Sequence, residues 1–178
     1  MPSKEELVDP LVFDTSVLFN LGHRGNLENL VALLKETHAL LVPPEAAEET
    51  QRSEERREYY RSFIQEHFTV RRGNVPAQHE EAIVKLAGSL GDGELAVIIL
   101  ALDTAGTPII DEVVARKAVH DLGVQPVGTV GLLQYAAHKQ WLTEQQVLST
   151  IETLRNNGFR TRPVQQGQTL EQYVASIE

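Results

Sequence analysis

Short apolar runs that stop at an acid limit the fold of this chain more than any other feature. Leu11-Val12-Phe13 ends at Asp14, and Pro108-Ile109-Ile110 ends at Asp111. A buried run of Leu, Val, Ile and Phe has no packing use for a carboxylate at its end. Both acids therefore need a reason outside the core. Further short runs, Ala39 to Val42, Phe68 to Val70 and Val124 to Val127, read as strands. Between them lie stretches with helical spacing, so strand and helix alternate along the chain. Parallel strands need a crossover element between them, nearly always right-handed. The expected class is α/β: a three-layer sandwich with a central parallel sheet of about four or five strands and helices on both faces.

The helices expected from spacing begin at Asn26 to Thr37, where Asn26 is placed as N-cap ahead of Leu27, Leu30, Val31, Leu33 and Leu34. Pro43 and Pro44 suit a helix start, and one long charged helix is expected from Pro44 to about His67, its first half in solvent. Gln78 to Leu90 is amphipathic, with Ile83, Val84, Leu86 and Ala87 inward. Gly91-Asp92-Gly93 opens the most apolar helix, Glu94 to Ala105, which has no polar face and is expected to be buried on nearly all sides. Glu112 to Asp121, Leu132 to Trp141 and Thr143 to Asn156 complete the set, the last capped by Thr143 and closed by Asn157-Gly158. A loop from Arg160 to Gln168 precedes a short helix, Leu170 to Ile177. With 178 residues, 42% of them hydrophobic, one core is expected. We divide the chain into 1–158, a main domain, and 159–178, a C-terminal loop and short helix packed on it.

In a parallel sheet, ligands bind beyond the carboxyl ends of the strands. Asp14 and Asp111 both fall there. If their strands are neighbours, about 5 Å separates them, and Glu94, Glu49 or Glu48 start helices at the same edge. Acids from separate segments with no Lys or Arg in the same motifs are most simply balanced by a hard cation bound through oxygen, Mg²⁺ or Mn²⁺. Such a cation promotes water attack on a phosphodiester. Each acid also has a plain structural use. Asp14 could cap a helix starting near Ser16, Glu94 could complement a helix dipole, Asp111 and Glu112 could be first-turn acids, and Glu45, Glu48 and Glu49 could be solvated. The convergence matters more than any one member.

Composition removes other chemistries. No cysteine is present, which excludes disulfides, thiolate zinc and a cysteine nucleophile, and fits a reducing cytoplasm. No apolar run approaches the roughly 18 residues of a membrane span, so a soluble, unexported protein is expected. The net charge of -9 disfavours nonspecific binding to polyanions, so a nucleic-acid substrate needs a local basic patch. Arg52, Arg56, Arg57 and Arg61 recur at helical spacing, and Arg116 with Lys117 lies one turn beyond Asp111; solvated Glu–Arg pairs explain such residues as well as a phosphate track does. The six histidines lack ligand spacing, and no P-loop, GxGxxG or GxSxG occurs. Ser16 stands where a dehalogenase-type phosphatase has its second acid, which argues against a phosphoaspartate at Asp14.

VFDTSVL, VPPEAAEET, GDGELAVIILA and PIIDEVVARKAVHDLGVQPVGTVGLL together resemble the PIN-domain nucleases, over about Leu11 to Trp141, and GFR at Gly158 to Arg160 extends the likeness. The resemblance implies a PIN-like sandwich and a Mg²⁺- or Mn²⁺-dependent ribonuclease akin to the toxin of VapBC toxin–antitoxin pairs, with an antitoxin partner and often a homodimer. It places metal ligands at Asp14, Glu49, Glu94, Asp111 and Glu112, catalysis at Asp14, Glu94 and Asp111, and substrate contacts at Arg116 and Thr15. Glu112 departs from the family, where a second Asp is common. The alternative is a nuclease-silent PIN-like module that binds RNA or a protein.

Overall fold

The computed structural model describes residues 6–177, so the termini included in the expected domain bounds, 1–5 and 178, lie outside the described residues. The chain runs β1 (Leu11–Phe13), α1 (Thr15–Phe19), α2 (Glu28–Thr37), β2 (Leu40–Val42), α3 (Pro44–Thr50), α4 (Arg57–His67) and β3 (Thr69–Val70). It continues through α5 (Glu80–Leu86), α6 (Asp92–Thr104), β4 (Thr107–Ile109), α7 (Val113–Asp121), α8 (Thr129–His138), α9 (Glu144–Asn156) and α10 (Leu170–Ile177). All pairings are parallel, in the order β3-β2-β1-β4. The α/β class with a central parallel sheet flanked by helices is therefore observed. β1 and β4 are neighbours, with Phe13 opposite Ile109, and Asp14 N–H donates to the Ile109 carbonyl at 3.0 Å.

The expected fifth strand reduces to one bridge, Val127 beside Ile109. Pro108 explains how β4 can stand in the sheet at all. Its carbonyl accepts from Val127 N–H on the outer side, so the donor that proline lacks also faces that sparsely paired edge, not β1.

The core is aliphatic and aromatic. Leu11, Val12 and Phe13 are fully buried, and Phe13 meets Phe68 edge-on at 5.2 Å. α6 lies on β1 and β4 and packs against α3, which also contacts α1. α9 packs between α8 and α10. Among the described residues no helix is long and apolar enough to cross a membrane.

Several expectations need correction. The long helix from Pro44 to His67 is broken: α3 ends at Thr50, Ser53 is extended, and α4 starts at Arg57. The intervening Gln51 to Arg57 has no apolar side chain to hold a continuous rod on the core, and the Thr50 hydroxyl bonds back to the Ala47 carbonyl. Arg52 therefore does not share a helix face with Arg57 and Arg61. Asn26 is not the cap of α2; it has φ +53°, and Leu27 precedes the helix. Val84 is 75% exposed, because α5 is only two turns long and anchors through Ile83. α6 is less enclosed than expected, with Leu95, Ile99 and Leu102 half-buried. At the far end the reading of Thr143 as N-cap matches: its hydroxyl accepts from Gln146 N–H while Gln146 reaches back to the Thr143 N–H at 2.8 Å.

Candidate active site

The strand-end acids open onto one broad groove at the carboxyl edge of the sheet. Asp14, Glu49, Glu94, Asp111, Glu112 and Arg116 all line it. Asp14 leaves β1 and immediately caps α1, its Oδ2 accepting from Ser16 N–H at 3.2 Å and Ser16 Oγ at 2.6 Å. The capping role and the place in the groove are compatible, because both Ser16 bonds fall on one oxygen. Asp14 is only 5% exposed. Burial raises its pKa, the Ser16 bonds pull it back down, and the charge of Glu49 raises it again.

Asp111 lies two residues beyond β4 and is more tightly held. Thr129 N–H donates to Oδ1 at 2.7 Å, while Thr129 Oγ1 at 2.6 Å and Asn20 Nδ2 at 3.0 Å donate to Oδ2. Asn20 Nδ2 also reaches Thr129 Oγ1 at 3.1 Å, closing a triangle, and Arg24 Nη1 donates to Asn20 Oδ1 at 3.2 Å. Asn20 and Thr129 are completely buried. Burial raises the pKa of Asp111; the Thr129 bonds lower it, Asp14 raises it, and Arg116 lowers it.

Sequence reasoning missed both supports. Asn20 sits inside the apolar run Val17-Leu18-Phe19-Asn20-Leu21, and an amide there should have signalled a buried partner. Thr129 follows Gly128 at the start of α8, where side chains point at the sheet edge. A Cβ on Gly128 would lie 2.9 Å from Asp111 Oδ1, so glycine is what lets the carboxylate sit against α8.

Glu94 is on the first turn of α6, with Oε2 accepting from Gly91 N–H at 3.0 Å. Burial raises its pKa, the Gly91 bond lowers it, and the charges of Asp14, Glu112 and Glu49 raise it. Glu49, rather than the exposed Glu48, is turned inward, accepting from Thr15 Oγ1 at 3.0 Å. Thr15, expected to contact substrate, lines the groove but is 5% exposed and donates its hydroxyl to Glu49 Oε2. Glu45 pairs with Arg72 at 2.9 Å. Glu112 is exposed and caps α7 from its N-cap position, its Oε1 3.5 Å from Val114 N.

Charge balance is the defining property of the site. Among the described residues Asp14, Glu94, Asp111 and Glu112 take part in no ion pair, and Glu49 has only Arg52 at 3.7 Å on the surface. The mutual raising of pKa values has no buried base to offset it. Among the described residues no three acids stand close enough to form a finished metal cage. Mg²⁺ sites, however, retain several waters and need only one or two direct carboxylates. An oxygen-only donor set, an Asp14 Oδ1 that neither Ser16 donor occupies, and a Gly93 whose Cβ would lie 3.1 Å from Glu49 Oε2 fit a partly hydrated hard cation.

A family model described as a PIN domain matches residues 10–173. No curated protein matches. Among solved structures the chain is similar to one in the crystal structure of VapBC2 from Rickettsia felis bound to a DNA fragment from their promoter. The identity is 10% and the TM-score 0.49, over 66% of this chain and 97% of that chain.

Proposed function

The chain belongs to the PIN-domain family, a family of nucleases, and from that premise we propose that it is a Mg²⁺- or Mn²⁺-dependent ribonuclease hydrolysing RNA phosphodiesters at the groove of Asp14, Glu94 and Asp111. The observation that carries this reading is the set of carboxylates, at the ends of neighbouring strands and on adjoining helix turns, that line one groove with no buried base among the described residues. Asp14, through the oxygen that Ser16 leaves unused, and Asp111 would hold the cation, with Glu49 and Glu94 completing its surroundings directly or through water. Such a cation supplies Lewis-acid stabilisation of charge on the phosphodiester oxygens and lowers the pKa of water.

The chain's own residues supply the rest. Thr129 and Asn20 fix the Asp111 carboxylate in one orientation, and Ser16 fixes Asp14. Thr15 holds Glu49 toward the groove. Glu94, with its pKa raised and one oxygen committed to Gly91, is suited to accept a proton from the attacking water. Arg116, whose charge already acts on Asp111, sits where a scissile phosphate would need a cation. Glu112 contributes negative charge at the rim.

Mn²⁺ titration with single-stranded RNA tests the reading. Wild type is expected to cleave and Asp14→Asn to fall to background; equal cleavage by both refutes it. The absence of a finished cage favours one alternative, a nuclease-silent module, for which Mn²⁺ would neither stabilise the protein nor induce cleavage while RNA binding persisted. The family likeness extends the proposal to a cytoplasmic protein that pairs with an antitoxin and forms a homodimer; a division at 158/159 is proposed from the loop that follows α9, although the family match runs across it. Co-purification with the neighbouring gene product, light scattering and limited proteolysis test these in turn.

A further inference from the structure

The loop from Gly158 to Pro163 is unusually well tied down for a surface segment. Phe159 N–H donates to the Leu154 carbonyl at 2.9 Å, and Phe159 and Val164 pack against the core. Tyr173 of α10, fully buried, donates its hydroxyl to the Arg162 carbonyl at 2.9 Å and meets Thr161 Oγ1 at 2.7 Å. Val164 N–H donates to Glu152 Oε1 at 2.7 Å. These anchors use backbone and neighbouring side chains, while the side chains of Arg160 and Arg162 are exposed. Both line the same groove as the acids, as do Arg116 and Lys117 of α7. The groove is lined by acids and cations together, with Glu45, Glu48, Glu49, Asp92 and Glu94 beside Arg52 on the α3 and α6 side, while on the α7 and loop side Arg116, Lys117, Arg160 and Arg162 outnumber Asp111 and Glu112.

A chain of net charge -9 repels a polyanion over most of its surface, so the strip where cations gather decides where one docks. Preorganised backbone lowers the ordering cost of such contacts. We propose that Arg160 and Arg162 form, with Arg116 and Lys117, a phosphate-binding track that lays a single polynucleotide strand along the groove and into the acids. This rests on the nuclease reading of the same site, which it supplies with a substrate path.

The test uses the full chain in EDTA, so that binding is read without cleavage. The probes are labelled oligouridine and oligothymidine of about 12 nucleotides, within the usual site size for single strands. Fluorescence anisotropy is recorded across a salt series. Each lost phosphate contact to a single strand lowers the slope of log K against log salt by about 0.7. R160Q/R162Q is therefore expected to lower it by about 1.4 and to weaken binding at low salt. R160K/R162K should keep the slope. R61Q, in α4 and paired with Glu58, should behave as wild type, and circular dichroism melting should show all variants folded.

Equal slope changes on both probes support a track that reads phosphate alone; a change confined to oligouridine supports one that also reads the ribose. An unchanged slope in R160Q/R162Q, a loss matched by R61Q, or no wild-type binding at low salt overturns the proposal. The two readings fail separately. If metal-dependent cleavage is lost in Asp14→Asn while the slope ignores Arg160 and Arg162, the nuclease stands without this track. If the slope responds but wild type does not cleave with Mn²⁺, the track stands without the nuclease.

Discussion

Asp14→Asn should make the metal-free protein more stable while abolishing its activity. In the wild type, an almost fully buried carboxylate faces Glu49, Glu94 and Asp111 with no base to balance it. Two carboxylates about 8 Å apart at an effective dielectric constant of about 20 repel by about 2 kcal/mol. The amide removes that repulsion and fits the same space. Its oxygen can keep both Ser16 bonds, which already fall on a single acceptor, while its NH₂ takes the Oδ1 position. Allowing for weaker bonds to a neutral acceptor, the net gain is about 1–2 kcal/mol. At about 2–4 °C per kcal/mol for a chain of this size, Tm should rise by about 2–8 °C at pH 7.5 in EDTA.

The pH dependence gives the sign a second check. Burial raises the folded pKa of Asp14 above the ordinary aspartate value of 3.8, so the folded state holds the proton longer than the unfolded one. Stability from this group is present below 3.8 and is lost as pH rises through the folded value. The advantage of the variant should therefore shrink on acidification and vanish where Asp14 is protonated in both states. Saturating Mn²⁺ should reverse the order, since ligand at 100 times its Kd adds about 2.7 kcal/mol to a protein that binds it. Calorimetry at pH 7.5 and pH 4, with EDTA or Mn²⁺, reads all three effects. A variant less stable than wild type in EDTA at pH 7.5, or a difference indifferent to pH, refutes the account of an uncompensated buried charge.

Thr129→Val deletes the hydroxyl bond to Asp111 and strips Asn20 of a partner, so urea unfolding should show a loss of about 1–3 kcal/mol, with cleavage falling as well. Gly93→Ala places a methyl against Glu49 Oε2 within a helical turn; Tm should hold or rise, since alanine is favoured over glycine in helices by up to about 1 kcal/mol, while cleavage falls by about 10- to 100-fold as the acid is displaced. Gly106→Ala drives a Cβ into the backbone carbonyl of Pro10, and soluble yield and Tm should both drop sharply. Tyr173→Phe removes the hydroxyl that donates to the Arg162 carbonyl; a stability loss of about 1 kcal/mol is expected by denaturant titration.

The parts of this fold that sequence discloses are those governed by local rules. Alternation of apolar runs with helical spacing indicates a parallel α/β sheet, and the Thr143 cap and the α10 bounds follow from short-range chemistry. Strand adjacency is a long-range property, and the neighbouring of β1 and β4, on which the site depends, could only be assumed. The break at Gln51 to Arg57 is missed because Glu and Arg keep good helix propensity there; what fails is anchorage, which depends on the distance to the core. Asn20 and Thr129 escape notice for a related reason. Acids attract attention because their charge must be balanced, whereas the neutral groups that orient them look like ordinary polar residues until the chain is folded.

That asymmetry says something about how the site is built. Asp111 receives three donors from Thr129 and Asn20, whereas the two that Ser16 gives Asp14 both fall on one oxygen. One carboxylate is therefore fixed by donors on both oxygens with one acceptor site left on Oδ1, and the other is held by Ser16 through a single oxygen. A site with every acid saturated would be stable and inert, and one with every acid vacant would carry several unpaired buried charges. Dividing the roles between neighbouring strands limits the electrostatic cost to a few groups at the groove wall. The same wall is the one that Arg116, Lys117, Arg160 and Arg162 face, so the charge left unbalanced by the fold lies where a bound cation and a phosphate strand could balance it.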